Sequence, residues 1–264
     1  MSTFTLNKYI KRAKVKHGFS RMGLSGTVES PLKSSVIIRT GNDDIDKAGF
    51  IEVDSLHHCG NSLSGVYAIS VQAVDIFTHW SELFIKLSSG SKTSESALHD
   101  FVKRFPFKIL NINSDNGSEF LNHLFLQRLS EYNITYSRSR PYHKNDQAHV
   151  EGMNYHHIRK ILGYSRIIKK DIVDDILDLY RNELSLLHNF FLPTIKSKSI
   201  YTNGKSKRIK LDTKTPFQRI IDDPTISQDI KDKLSLFKNN LNFLSISNSF
   251  DVKISKILYA IHHQ

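Results

Sequence analysis

Residues 107–133 read FKILNINSDNGSEFLNHLFLQRLSEYN, and the fold turns on that stretch. FKILNINSD is a short apolar run that closes on Asp115, the pattern of a buried strand. Asn116-Gly117 then breaks the chain with turn chemistry. SEFLNHLFLQRLSEYN, residues 118–133, places apolar side chains at 120, 121, 124, 125 and 129, which is helical spacing. Asp115 has two readings at this junction. An aspartate at a strand end commonly just starts a turn, and Asp-Asn-Gly is a turn signal in its own right. A carboxylate there also suits a metal ligand aimed at a phosphodiester.

Working upstream, GFIEVDSL (from 49), GVYAISVQAVD (65–75) and HWSELFIKL (79–87) are three strand-like runs separated by short polar breaks, a meander. SESALHDFVKRF follows with apolar residues at 97, 98, 101, 102 and 105, Ser94 as the expected N-cap and Pro106 as the stop. Downstream, ITYSRS is a further strand, RPYHKNDQ a polar loop, and AHVEGMNYHHIRKILG a helix. The order β-β-β-α-β-α-β-α predicts an α/β fold, a mixed five-stranded sheet with flanking helices in the RNase H-like layout. The expected organisation is a basic lead segment (1–45), a catalytic core (46–165) and a smaller helical, basic C-terminal region (166–264). In that last region DIVDDILDLYRNELSLLHNFF reads as a helix. The stretch 193–216 reads as a basic loop whose tract KSKSIYTNGKSKRIK is expected to be mobile. Two more short helical patterns end near 261.

Three acids fall at telling places in this layout. Asp54 lies inside the first core strand, Asp115 ends the fourth, and Glu151 stands early in the helix after the fifth. The first and fourth strands are neighbours in such a sheet, so Asp54 and Asp115 lie side by side, and the helix of Glu151 packs on the same edge. Asp54, set among Ile51, Val53 and Leu56, needs a partner. Glu151 alone could be an ordinary helix-surface acid. Three converging carboxylates repel one another unless cations relieve them. Mg²⁺ or Mn²⁺ suits an all-oxygen set, and two such ions about 4 Å apart hold the attacking and leaving oxygens of an in-line displacement.

The 264 residues carry 37 Lys and Arg against 26 Asp and Glu, a net charge of +11. The excess is local. Residues 1–21 hold six basic side chains and no acid, and residues 190–219 hold eight against Asp212 alone. Two basic segments flanking a nearly neutral body fit a polyanion such as DNA; solvated basic loops would give the same count. No run of about 18 apolar residues predicts a membrane span, and the N-terminus lacks the apolar core of a signal peptide. A single cysteine, Cys59, rules out an internal disulfide and points to an intracellular setting. His57, His58, His143, His149, His156 and His157 invite a zinc site, but no pair of cysteines accompanies them. Trp80 reads as core packing.

VDSLHHCG, DIFTHWSE, SDNGSEF and SRSRPYHKNDQAHVEGMN resemble the integrase-core transposases of bacterial insertion sequences, relatives of retroviral integrases. The D,D-35-E pattern of that family falls on Asp54, Asp115 and Glu151, with 35 residues between the last two. The likeness continues through IRKILGYSRI, NFFLPTIKSK and TPFQRII. It implies a DNA strand transferase with those three acids as catalytic and metal-holding residues, and Mg²⁺ or Mn²⁺, two ions, as cofactor. It implies water attack that frees a 3′-OH at an element end, followed by attack of that 3′-OH on target DNA. The implied partners are element-end and target DNA and further copies of the chain, in a bacterial, nucleoid-associated cytoplasm. Relatives usually carry a helix-turn-helix before the core, and this chain begins too late for one, so a separate helix-turn-helix protein is a further expected partner. Here Gly152 and Met153 follow the glutamate where the family more often has Gln and Lys. Two alternatives stay open: a plain metal nuclease of the same fold, and a non-catalytic remnant that binds DNA. Helix geometry puts Asn154 and Arg159 on the face of Glu151. They join Arg138, Arg140, Lys144, Asn145, Lys205, Lys207 and Arg208 as expected DNA contacts.

Overall fold

The computed structural model describes residues 36–39, 45–87, 91–115, 119–139, 148–202 and 205–264. A six-stranded sheet forms its centre. In chain order the strands are β1 (Ile37–Arg39), β2 (Phe50–His58), β3 (Ala68–Asp75), β4 (Ser81–Leu87), β5 (Asn111–Ser114) and β6 (Thr135–Ser139). Across the sheet they run β1-β6-β5-β2-β3-β4. β2, β3 and β4 pair antiparallel, as a meander does, whereas β2–β5, β5–β6 and β6–β1 pair parallel. This is the RNase H-like arrangement of a mixed sheet. It has one strand more than the sequence pattern suggests, because the lead segment contributes β1. Three residues with no polar alternation give too short a signal for a period-2 reading.

α1 (Ser91–Arg104) and α2 (His123–Glu131) belong to one core. That core joins Ile51, Val53 and Ile112 from the sheet with Leu98, Phe101 and Phe125 from the helices. The opposite face meets a helical run made of α3 (Ala148–Asn154), a π-helical turn (Tyr155–Arg159) and α4 (Lys160–Leu162). Behind it stand α5 (Lys170–Leu179), a second π-helical turn (Tyr180–Leu184) and α6 (Ser185–Phe190). This second core joins Leu56, Ile85, Ile158, Ile176 and Tyr180.

Several element boundaries differ from the sequence reading. α1 begins at Ser91, so Ser94 lies inside the helix and is buried rather than capping it. α2 starts at His123 rather than 118, because Asn122 accepts the Phe125 N–H at 2.9 Å and caps the helix there. The stretch expected to be a mobile basic loop is a two-stranded antiparallel ribbon, β7 (Thr194–Thr202) with β8 (Lys205–Lys214). After it come three helices rather than two, α7 (Pro216–Asp222), α8 (Gln228–Asn239) and a 20-residue α9 (Phe243–His262). None of the described helices is long and apolar enough to cross a membrane. Trp80 is buried, edge-on to Phe190, with its indole N–H on Glu82, as a core tryptophan should be.

One glycine sets the register that matters below. Gly49 (φ +106°) precedes β2, and a Cβ there would fall 2.7 Å from the Lys108 carbonyl oxygen. Its own carbonyl accepts the N–H groups of Leu110 and Asn111 at 2.8 and 3.1 Å. Only a residue without a side chain lets β5 start this close to β2.

Candidate active site

Successive residues of a strand point to opposite faces. Phe50, Glu52, Asp54, Leu56 and His58 therefore share the face of β2 that meets α3. On β3, Gln72 stands opposite Asp54. On β5, Asn113 stands level with Glu52. The pairing ends there, β5 closes at Ser114, and Asp115 is the residue directly after the strand that lies beside β2. Asp54 is half-buried and Asp115 exposed.

The helix that carries the third acid is tied to β2 at two points. The Val150 N–H donates to Glu52 Oε2 at 3.0 Å. Asn154 Nδ2 donates to Asp54 Oδ2 at 2.6 Å, and the Ser55 N–H donates to Asp54 Oδ1 at 2.8 Å. Glu151 occupies the helical position directly after Val150 and one turn before Asn154. The structure thus brings the backbone of the Glu151 helix onto the strand of Asp54, and Asp115 to the end of the neighbouring strand. Among the described residues, no group of three or more His, Cys, Asp or Glu side chains forms a metal cage. Asp54 on β2 and Asp115 at the end of β5 offer carboxylate oxygens as donors. Such a set suits a hard divalent cation.

Glu119, four residues after Asp115, is tethered to the same strand. The Ser55 hydroxyl donates to Glu119 Oε1 at 2.6 Å, and His57 Nε2 lies 4.0 Å from that oxygen. Beside it, Tyr136 meets the Ser114 hydroxyl at 2.5 Å, and burial, reinforced by the charges of Asp115 and Glu119, pushes its pKa up to about 12. Behind Asp54, Gln72 Nε2 donates to His157 Nδ1 at 2.7 Å, and His157 stacks on His188 with ring centroids 3.6 Å apart.

The expected DNA contacts divide. Asn154 is buried and engaged with Asp54 rather than offered to DNA. Arg159 is committed to the carbonyls of His57 and Gly163 and covers the Tyr164 ring at 4.6 Å. Arg138 is only 5% exposed within β6. Helix spacing and charge marked all three, but neither reports burial. Arg140, Lys144 and Asn145 lie outside the described residues. Lys207 is exposed on β8, and Lys205 and Arg208 are positions of the same strand. Sequence reasoning passed over Glu52, Glu119 and Gln72. The signal for Glu52 was its place two residues before Asp54 in an alternating strand.

Residues 48–144 match the integrase core domain family. A curated relative, protein y4rM of Sinorhizobium fredii (strain NBRC 101917 / NGR234), is 30% identical over 197 residues, covering 74% of this chain. The chain spans 56% of that relative's length. Among solved structures, the HTLV-2 integrase catalytic core domain in complex with magnesium, in its dimeric form, aligns with 22% identity and a TM-score of 0.39. That alignment covers 60% of this chain and 91% of that one. The BIV integrase catalytic core domain aligns with 17% identity and a TM-score of 0.38, covering 65% and 93%.

Proposed function

We propose that this chain is a DNA strand transferase that cleaves a 3′ end and joins it to target DNA, with Asp54, Asp115 and Glu151 as its catalytic acids. The observation that carries this reading is the double attachment of the Glu151 helix to the strand of Asp54, beside Asp115, directly after the residues 48–144 that match the integrase core domain family. Mg²⁺ or Mn²⁺ held by these three acids supplies, when bound, stabilisation of the charge that builds on the phosphoryl oxygens. The chain's own contribution is placement. Asn154 and the Ser55 N–H each hold one oxygen of Asp54, which leaves the remaining lone pairs directed by the protein rather than by rotation. Glu119, held by Ser55, ties the chain four residues after Asp115 to the strand of Asp54. Positioning of this kind lowers a phosphoryl-transfer barrier without a covalent enzyme intermediate. Outside the site, the basic ribbon, through Lys205, Lys207 and Arg208, supplies backbone contacts that hold the duplex.

The test is the series Asp54→Asn, Asp115→Asn and Glu151→Gln, assayed for Mg²⁺-dependent nicking and for strand transfer on a labelled duplex. Each substitution keeps the shape and removes the charge, so each should abolish turnover while circular dichroism and DNA binding stay near wild type. Near-normal turnover in any one of them overturns the assignment. Nicking without joining by the wild-type chain would leave a nuclease.

A further inference from the structure

Glu52 is wholly buried on the face of β2 that also presents Asp54. A carboxylate in such a place is costly unless donors hold it. One donor is the N–H of Val150, itself fully buried and the residue immediately before Glu151. The first N–H groups of a helix have no partner within the helix. Here a side chain of the sheet supplies one, and its negative charge also suits the positive end of the helix. The charge of Glu52 reaches further, to Arg39 on β1. It favours the charged guanidinium against burial, which lowers that pKa, and the guanidinium lies over the Phe50 ring at 5.5 Å.

The consequence is geometric. Asn154, one turn beyond Val150, fixes the end of α3 to Asp54, and His157 and Arg159 hold the π-helical turn beyond it to Gln72 and His57. The attachment at Val150 fixes the start of the helix, and Glu151 lies between Val150 and Asn154. We propose that Glu52 is a positioning residue: its carboxylate sets where the first turn of the Glu151 helix lies against the strand that carries Asp54. The effect on catalysis rests on the strand-transferase reading; the fixing of the helix does not. A rival role for Glu52 is that of an additional oxygen donor to the cation. Glutamine separates the two roles, because its amide oxygen accepts the same N–H while its charge is gone.

The experiment compares the full-length wild type with Glu52→Ala and Glu52→Gln. Should the alanine variant not fold, Glu52→Met, which keeps volume and removes the acceptor, replaces it. Hydrogen exchange read by mass spectrometry should be about tenfold or more faster across 148–155 in the alanine variant, and near wild type in the glutamine variant. Exchange across 68–75 should not change in either. Mn²⁺ affinity, followed by electron paramagnetic resonance, should fall about tenfold or more with alanine and little with glutamine. In cleavage assays alanine should lower kcat and leave the KM for DNA unchanged. Unchanged exchange across 148–155 in the alanine variant overturns the proposal. So does a glutamine variant that exchanges as fast as alanine. Slow exchange with lost Mn²⁺ binding in the glutamine variant overturns it in favour of the ligand role. A wild-type chain that cleaves no DNA defeats the strand-transferase reading, while the exchange result still decides the role of Glu52.

Discussion

His157 and His188 lie face to face beneath the helix of Glu151, and their surroundings hold both neutral. Burial lowers His188 to about 4, with His156 adding to the effect, and lowers His157 well below its ordinary value. His58, hydrogen-bonded to the Ser70 hydroxyl, is lowered to about 3 by burial and then by Arg159. An unfolded imidazole takes up its proton near pH 6.5. Between that value and the folded one, the unfolded state binds more protons, so stability is complete above about pH 6.5 and is lost as pH falls. The histidines' contribution to stability in urea should therefore fall from pH 7 to pH 4.5, against an opposite one from the Asp75 carboxyl, which burial raises to about 6. In His188→Gln the dependence should be shallower, by at most about 1.4 kcal/mol per pH unit. An unchanged slope would mean that His188 is not buried neutral. Single residues show well what a sequence conveys. Asp54 was legible because an acid among Ile51, Val53 and Leu56 breaks an apolar strand. Glu52 breaks the same strand, yet its partner is a backbone N–H nearly a hundred residues on, and no spacing rule reaches that far. His157 stood out only as one of many histidines, since stacking on His188 is a tertiary fact.

At the level of elements, the run Ala148–Leu162 is helix throughout but changes pitch at the π-helical turn from Tyr155 to Arg159. Such turns recur near functional sites, and this one begins directly after Asn154, the residue that holds Asp54. Gly152 lies just before it. A Cβ there would meet nothing within 4 Å, and its backbone is not left-handed. The glycine is therefore not required by space, and it costs helix stability of about 0.5–1 kcal/mol relative to alanine. Gly152→Ala should raise the unfolding free energy by about that amount, read from urea titration, with Mg²⁺-dependent cleavage retained. A loss of cleavage with a gain in stability would show that the helix must yield at Gly152 during turnover. The strands and helices of residues 50–139 were legible because their apolar residues repeat with clean periods. The ribbon was not, because lysines mask the alternation of Ile195, Ile200 and Ile209. The Asn203-Gly204 dipeptide between two β-branched runs was the signal that could have found it.

For the whole molecule, charge is the property with a consequence beyond the active site. Within the ribbon, the sequence sets Lys196, Lys198, Lys205, Lys207, Arg208, Lys210 and Lys214 against Asp212 alone, and Lys214 pairs outside it with Asp222 at 2.6 Å. Its base is built into the fold. The Arg219 guanidinium donates to the Thr194 carbonyl at 2.7 Å and to Asp212 at 3.1 Å, and His79 meets the Thr194 hydroxyl at 3.0 Å. Asp212 is thus spent on Arg219, and the lysines further along the strands have no acid in the ribbon to neutralise them. A two-stranded ribbon also fits the width of a DNA major groove. Binding through phosphates releases counterions, so affinity should fall steeply with salt, and each lost phosphate contact should reduce the log–log slope by roughly 0.9. The combined change of Lys205, Lys207 and Arg208 to alanine should flatten the slope by up to about three such steps. Asp54→Asn should leave it alone, because that residue holds no phosphate directly. Titrating a labelled duplex with the full chain at several salt concentrations measures both. A slope unmoved by the triple change would remove the ribbon from the DNA-binding surface and leave the basic N-terminal segment as the place to look.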